Sequence, residues 1–341
     1  MLTRMSRRTA LASVTAAAAT AALPRALFAQ SGDWKSSVLE TAKSHDAFHS
    51  LIVARNGEPL IEEVVRGGPL DRGVNIKSAS KSVISALVGI AIDKGALEGP
   101  DQKIAPLLDD KLPDDPDPRL AQVTIGNLLS MQSGLERTSG PNYGRWVASR
   151  DWVRAALDQA FVADPGGRML YSTGNTHLLS AVLTRVGNKS TLDLARDWLG
   201  EPLDITIPPW PHDPQGIYFG GNNMVLSPRA LLAFGEMYRN RGKAGETQVL
   251  SPEWIDLSWT PRTSSPWTGH SYGYGWFLRE VDGAPVRYAW GFGGQMLFIA
   301  LREGVVCTMI SDPNGPSGHN GYVDQLHDLF DTILRGVRSE A

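Results

Sequence analysis

The chain has 341 residues, is 42% hydrophobic, and sets 33 Lys and Arg against 36 Asp and Glu for a formal net charge of -3. Its length and its 10 Trp supply a large core and predict two subdomains, while the near balance of charge, without a basic block or basic-aromatic stripe, speaks against a nucleic-acid partner. A lone cysteine, Cys307, excludes an intramolecular disulfide.

Residues 1–29 read as an export signal. Ser6-Arg7-Arg8-Thr9-Ala10-Leu11 is a twin-arginine run, followed by a small-residue apolar stretch from Ala10 to Leu23 and then Ala26-Leu27-Phe28-Ala29. Cleavage is expected near Ala29. The apolar stretch is too short and alanine-rich for a membrane span, so the mature chain is expected to be a bacterial periplasmic or secreted protein without a transmembrane segment.

Beyond the signal, Leu51-Ile52-Val53-Ala54 and the run from Leu60 to Val65 flank Asn56-Gly57, a hairpin signal. Val83, Ile84, Leu87, Val88, Ile90, Ala91 and Ile92 are apolar around most of a helical circumference and predict a buried helix. The acidic run from Asp109 to Asp117 lacks the glycine and closing glutamate of a calcium loop and reads as solvated surface. Helix starts are marked at Thr124, at Ser190-Thr191-Leu192-Asp193, at Ser227-Pro228 and at Ser251-Pro252. Strands are predicted from Tyr272 to Val281, Val286 to Trp290, Met296 to Leu301 and Val305 to Ser311. The last of these buries Cys307, where a thiol is inert. Val323, Leu326, Phe330, Ile333 and Val337 carry helical spacing to the end. A sheet domain from 30–110 and 265–341, interrupted by a mainly helical domain at 111–264, accounts for this order.

Three segments carry chemistry. Ser78 and Lys81, in Lys77-Ser78-Ala79-Ser80-Lys81-Ser82, stand one helical turn apart and share a face. A serine hydroxyl needs a base, and an amine kept neutral by burial supplies one. Ser-x-x-Lys alone also fits an N-cap serine beside a solvated lysine, but a lysine in the first turn of a buried helix needs a reason. Tyr171-Ser172-Thr173-Gly174-Asn175 lies just before an apolar helix from His177 to Val186; a phenol against a helix N-terminus and a lysine is expected to have its pKa lowered and to exchange a proton with serine. In Trp290-Gly291-Phe292-Gly293-Gly294-Gln295, glycines interrupt two strand-like runs, as where a ligand approaches a sheet edge that offers amides to an oxyanion. Each of the last two also fits a simpler reading, a half-buried core tyrosine and a ligand-free hairpin. Trp146, Trp152, Trp210, Trp267 and Trp290 fall in segments open to a cleft-rim reading; packing is the simpler reading for most of them, and Trp290 is the first cleft candidate. His45 and His49 form an i, i+4 pair without a third metal ligand.

Together, in this order, the three segments resemble the serine beta-lactamase-related hydrolases: class C beta-lactamases, DD-peptidases, carboxylesterases and 6-aminohexanoate-oligomer hydrolases. Ser85-Ala86-Leu87-Val88-Gly89-Ile90-Ala91-Ile92-Asp93, Leu128-Leu129-Ser130-Met131-Gln132-Ser133-Gly134-Leu135, Asn223 to Arg229 and Tyr274-Gly275-Trp276 extend the likeness. It implies an α+β fold, an antiparallel sheet flanked by helices plus an inserted all-helical domain, with the active site between them and no cofactor. Ser78 would be the nucleophile, and Lys81 and Tyr171 its acid-base partners, with either one taking the first proton. The Ser78 amide and an amide at Gly294 or Gln295 would form the oxyanion hole. Thr173, Asn175, Trp290, Phe292 and Gly293 would touch substrate.

The chain departs from beta-lactamases at two places. Thr173 stands where they carry asparagine, and the stretch from Trp290 to Gly294 lacks their carboxylate-binding lysine, unless Arg287 compensates. The expected function is hydrolysis of a small neutral ester or linear amide through an acyl-enzyme. The alternatives are a penicillin-recognising DD-peptidase or weak beta-lactamase and, in another class, a non-catalytic ligand-binding protein on the same fold.

Overall fold

The computed structural model describes residues 34–315 and 321–340; the twin-arginine segment lies outside them. Helix α1 (Trp34–Ser44) leads into β1 (Phe48–Arg55) and β2 (Glu58–Val64). Their turn residues Asn56 and Gly57 have φ of 53° and 87°, the pair of left-handed positions that a two-residue hairpin turn demands and that Asn and Gly tolerate best. Helices α2 (Ser80–Asp93), α3 (Thr173–Gly187) and α4 (Pro228–Arg239) fall in the middle of the chain. Then come β3 (Thr263–Ser264), β4 (Ser271–Tyr272), β5 (Phe277–Val281), β6 (Ala284–Gly291), β7 (Gln295–Ala300), β8 (Val305–Ser311) and α5 (Tyr322–Ser339).

These strands form one antiparallel sheet in the order β2-β1-β8-β7-β6-β5-β4-β3. The first strands therefore pair with the last, Leu51 opposite Met309 and Val53 opposite Cys307. The expected strand from Tyr272 to Val281 is broken between β4 and β5, where Gly275 adopts φ of 79°. The break is anchored by α2, whose Ser82 and Ser85 hydroxyls donate to the carbonyls of Gly275 at 2.6 Å and Tyr274 at 2.7 Å.

Side chains alternate across the sheet. Leu297, Ile299, Val306 and Ile310 join the core shared with α2, α3 and α4. Met296, Phe298, Cys307 and Met309 pack on the other face against α1 and α5, with the Phe298 and Phe330 rings stacked at 4.3 Å. Burial raises the Cys307 thiol well above its ordinary value and keeps it protonated. The expected caps form: Thr124, Ser190, Ser227 and Ser251 each accept from an amide in the first turn of the helix they precede. Every residue of α2 from Ser80 to Ala91 is buried, so burying this helix takes Lys81 out of water as well. Among the described residues no helix is long and apolar enough to cross a membrane.

Candidate active site

Ser78 sits in a short 3-10 turn, Lys77–Ala79, that runs directly into α2. Lys77, immediately before it, holds φ of 50°, an uncommon conformation for a side-chain-bearing residue. The turn is fixed from two sides. The Lys77 amide donates to Asn75 Oδ1 at 2.9 Å, and Asn75 Nδ2 donates to Asn223 Oδ1 at 3.0 Å. On the other side β6 closes in at Gly291, where an added Cβ would stand 2.2 Å from the Ile76 carbonyl oxygen and 3.0 Å from the Lys77 Cβ. Glycine is required there because strand and nucleophile turn touch backbone to backbone.

Lys81 is 1% exposed. Its Nζ lies 3.2 Å from Ser78 Oγ, 3.5 Å from Thr173 Oγ1 and 2.5 Å from the Gly221 carbonyl, to which it donates. Among the described residues no carboxylate balances it, and burial brings its pKa down from 10.5 to about 7. A large fraction of Lys81 is therefore a neutral amine near neutral pH.

Tyr171 completes the group, with Ser78 beside its hydroxyl and Lys81 Nζ 5.0 Å from its ring centre. The expected lowering of the phenol is corrected here. Burial raises it, and the Ser78 hydrogen bond opposes that only in part. The lysine that was to stabilise a phenolate is itself pushed toward neutrality, so desolvation wins. The resting phenol keeps its proton.

Helix α3 begins at Thr173, four residues before the expected start, because a neighbouring loop caps it: Thr173 N donates to Ser139 Oγ and Gly174 N to Thr138 Oγ1, both at 2.8 Å. This orders the first turn and brings the Thr173 hydroxyl to Lys81. Asn175, two residues on and about 200° around the helix, is 2% exposed and accepts from Ser133 Oγ at 3.1 Å. Its Oδ1 is thus turned to Ser133, while Thr173 is the residue whose side chain meets Lys81.

The second oxyanion amide also moves. The Gly294 amide donates to the Gly291 carbonyl at 3.2 Å and closes the β6–β7 turn. Gln295 pairs with Gly291 in the ladder, while its side chain bonds the Ser311 backbone. Neither amide is aimed at Ser78. Along a strand, the amide and carbonyl of one residue point to one edge and those of its neighbours to the other. Since the Gly291 carbonyl points toward β7, the Trp290 amide points to the opposite edge, where β5 pairing ends at Tyr288. Phe292, 50% exposed, and Gly293 follow in the turn.

Of the tryptophans, Trp146, Trp152 and Trp210 belong to the core, and half-buried Trp290 packs against Phe277 at 5.9 Å. Trp267 is the exposed one, at 54%, and stands edge-on to Tyr171 at 5.8 Å. Arg287 does not reach the cleft. Its guanidinium lies 5.6 Å from the Trp259 ring centre, and it sits four residues, or about 13 Å, along β6 from Gly291. The Gly221 carbonyl and the Ser139 hydroxyl were not anticipated. A backbone acceptor leaves no residue-type signal, and the Gly220-Gly221 pair was the one sequence cue to it.

The family model for beta-lactamase matches residues 50–329. The chain belongs to the beta-lactamase family. No curated protein matches it in sequence. Among solved structures, this beta-lactamase-family chain is similar to a protein of Bacteroides dorei DSM 17855 assigned as a beta-lactamase, with TM-score 0.73 and 19% identity over 89% of this chain and 98% of that one. It is also similar to EstCE1, a hydrolase with promiscuous acyltransferase activity, with TM-score 0.70 and 17% identity over 87% of this chain and 98% of that one. The D-amino acid amidase of Ochrobactrum anthropi SV3 matches with TM-score 0.69 and 16% identity over 90% of this chain and 100% of that one. At these identities the structural likeness shows the shared fold, and this family member has neighbours that act on amides and esters.

Proposed function

We propose that the protein is a serine hydrolase that forms an acyl-enzyme on Ser78 and releases it to water, acting on a small neutral ester or linear amide. The observation that carries this reading is the buried Lys81 amine, without a carboxylate partner among the described residues and with a pKa of about 7, held 3.2 Å from Ser78 Oγ. Lys81 takes the Ser78 proton as Oγ attacks the carbonyl carbon. The Ser78 amide and an amide at the end of β6, within residues 290–293, receive the negative charge that develops on the carbonyl oxygen. Tyr171, protonated at rest, donates to the leaving group and recovers a proton from Lys81. In the second half, the same pair takes a proton from the attacking water and returns it to Ser78.

The walls favour an apolar substrate. Trp267, one of the few large hydrophobic side chains left exposed among the described residues, stands edge-on to Tyr171. A carboxylate in this cleft finds no cation at the Trp290–Gly291 end of β6, since Arg287 is turned to Trp259, and so forgoes a charge-assisted hydrogen bond of about 1.5–3 kcal/mol. One feature favours a second reading, a penicillin-recognising peptidase or weak beta-lactamase: Lys77, half-buried, immediately precedes Ser78 and brings a cation near the nucleophile.

Rates measured side by side for p-nitrophenyl butyrate and a chromogenic cephalosporin, with Ser78→Ala as control, decide between them. Turnover of the ester alone, lost in Ser78→Ala, is the expected result. Turnover mainly of the cephalosporin overturns the neutral-substrate reading and points to Lys77. Tight binding of either compound without consumption makes the protein a binder.

A further inference from the structure

Lys81 has two partners besides Ser78, and one turn of α3 holds both. Thr173 presents its hydroxyl directly. The Gly221 carbonyl arrives on the segment 210–223, and the turn of α3 at Thr176 and His177 is the surface on which that segment docks. A Cβ added to Gly220 would stand 2.1 Å from the Thr176 carbonyl oxygen, and one at Gly221 would stand 2.6 Å from Thr176 Oγ1. The two glycines therefore let the backbone lie flat on the helix.

The segment is fastened there by a buried polar pair. His177 is 0% exposed and Asp213 1%. His177 Nε2 lies 3.1 Å from Asp213 Oδ2, and the Gly220 amide donates to His177 Nδ1 at 3.4 Å. Asp213 Oδ1 accepts from the amides of Gln215 and Ile217, each at 2.9 Å. Because Gly220 is the donor, Nδ1 is unprotonated and the ring proton sits on Nε2, donated to Asp213. Trp146, Trp152 and Phe219 surround the ring at 5.5–5.8 Å. An apolar core would fill such a place at no loss of stability. Yet apart from the His177–Asp213 bond itself, every bond named here reaches a backbone amide of one short segment. The residue after Gly220 offers its carbonyl to Lys81.

We propose that His177 and Asp213 are positioning residues for Lys81. They latch residues 213–221 onto α3 so that the Gly221 carbonyl aims the Lys81 amine at Ser78. The inference rests on Lys81 being the base for Ser78.

The test is a double-mutant cycle on the rate of Ser78 modification by a fluorophosphonate. Asp213→Asn keeps the shape and the acceptor for Gln215 and Ile217. Its new amide donor faces His177 Nε2, moves the ring proton to Nδ1, and breaks the bond to Gly220. His177→Gln, a second route, keeps a donor for Asp213 and removes the acceptor for Gly220. Each variant is checked for a cooperative thermal transition. Each is expected to slow modification about 10- to 100-fold, the scale of a group misplaced by about 1 Å. In a Lys81→Ala background the same changes are expected to have no further effect. Equal slowing in both backgrounds marks a merely structural pair and overturns the proposal, as does wild-type speed in both single variants. If Lys81→Ala itself modifies at the wild-type rate, the failure lies in the assignment of Lys81 as base.

Discussion

At pH 6, replacing Lys81 with methionine should stabilise the protein, and the gain should shrink toward zero as pH rises to 9. In the unfolded chain the ammonium titrates at 10.5, and in the fold at about 7. The folded value is the depressed one, so the unfolded state holds the proton more tightly. Wild-type stability is therefore penalised in full below pH 7 and recovers as pH rises toward 10.5. The gap is worth about 5 kcal/mol at about 1.4 kcal/mol per pH unit, and about 2 kcal/mol of it remains at pH 9. Lys81→Met removes this penalty while leaving the Gly221 carbonyl without a donor, a pH-independent cost of about 1–3 kcal/mol. Guanidinium unfolding of both proteins at pH 6 and pH 9 is the assay. The variant's advantage should be about 3 kcal/mol larger at pH 6. The same difference at both pH values would show that Lys81 is not held near neutrality, and the argument for it as base would fall with that result.

Two further outcomes follow from the same geometry, and a third from the sequence of residues 1–29. The rate of acylation should rise with pH through an acidic limb near 7 set by Lys81, and Tyr171→Phe should lower it about 10²- to 10⁴-fold without moving that limb, since the phenol is raised and stays protonated; a limb that disappears in Tyr171→Phe would assign it to the tyrosine. Gly291→Ala should place a methyl group 2.2 Å from the Ile76 carbonyl, costing about 1–3 kcal/mol in a denaturant midpoint and slowing acylation by displacing the Ser78 turn; unchanged rates would mean that β6 does not brace the nucleophile. Arg7→Lys together with Arg8→Lys should leave the full-length protein unprocessed in the cytoplasm, read by fractionation and immunoblot, whereas normal export would refute the twin-arginine reading.

Much of this was legible in local signals. Asn56-Gly57 names its own turn, Ser227-Pro228 and Ser251-Pro252 cap helices through their own hydroxyls, and the all-round apolarity of α2 showed that Lys81 would be buried. What escaped depends on how distant segments meet. Thr173 and Asn175 look equivalent in a string and diverge once α3 begins at Thr173. The Gly294 amide is consumed by the very turn its glycine makes possible. Arg287 points along the correct strand but is held at Trp259. The Gly221 carbonyl and the His177–Asp213 pair join residues 140 and 36 positions apart, and no periodicity records such a meeting.

The central claim is that Ser78 is acylated. Intact-mass measurement of wild type and Ser78→Ala after exposure to a fluorophosphonate tests it most directly. The account predicts one mass increment on the wild type, mapped to the peptide containing Ser78, and none on the variant; labelling of Ser78→Ala to the same extent would contradict it.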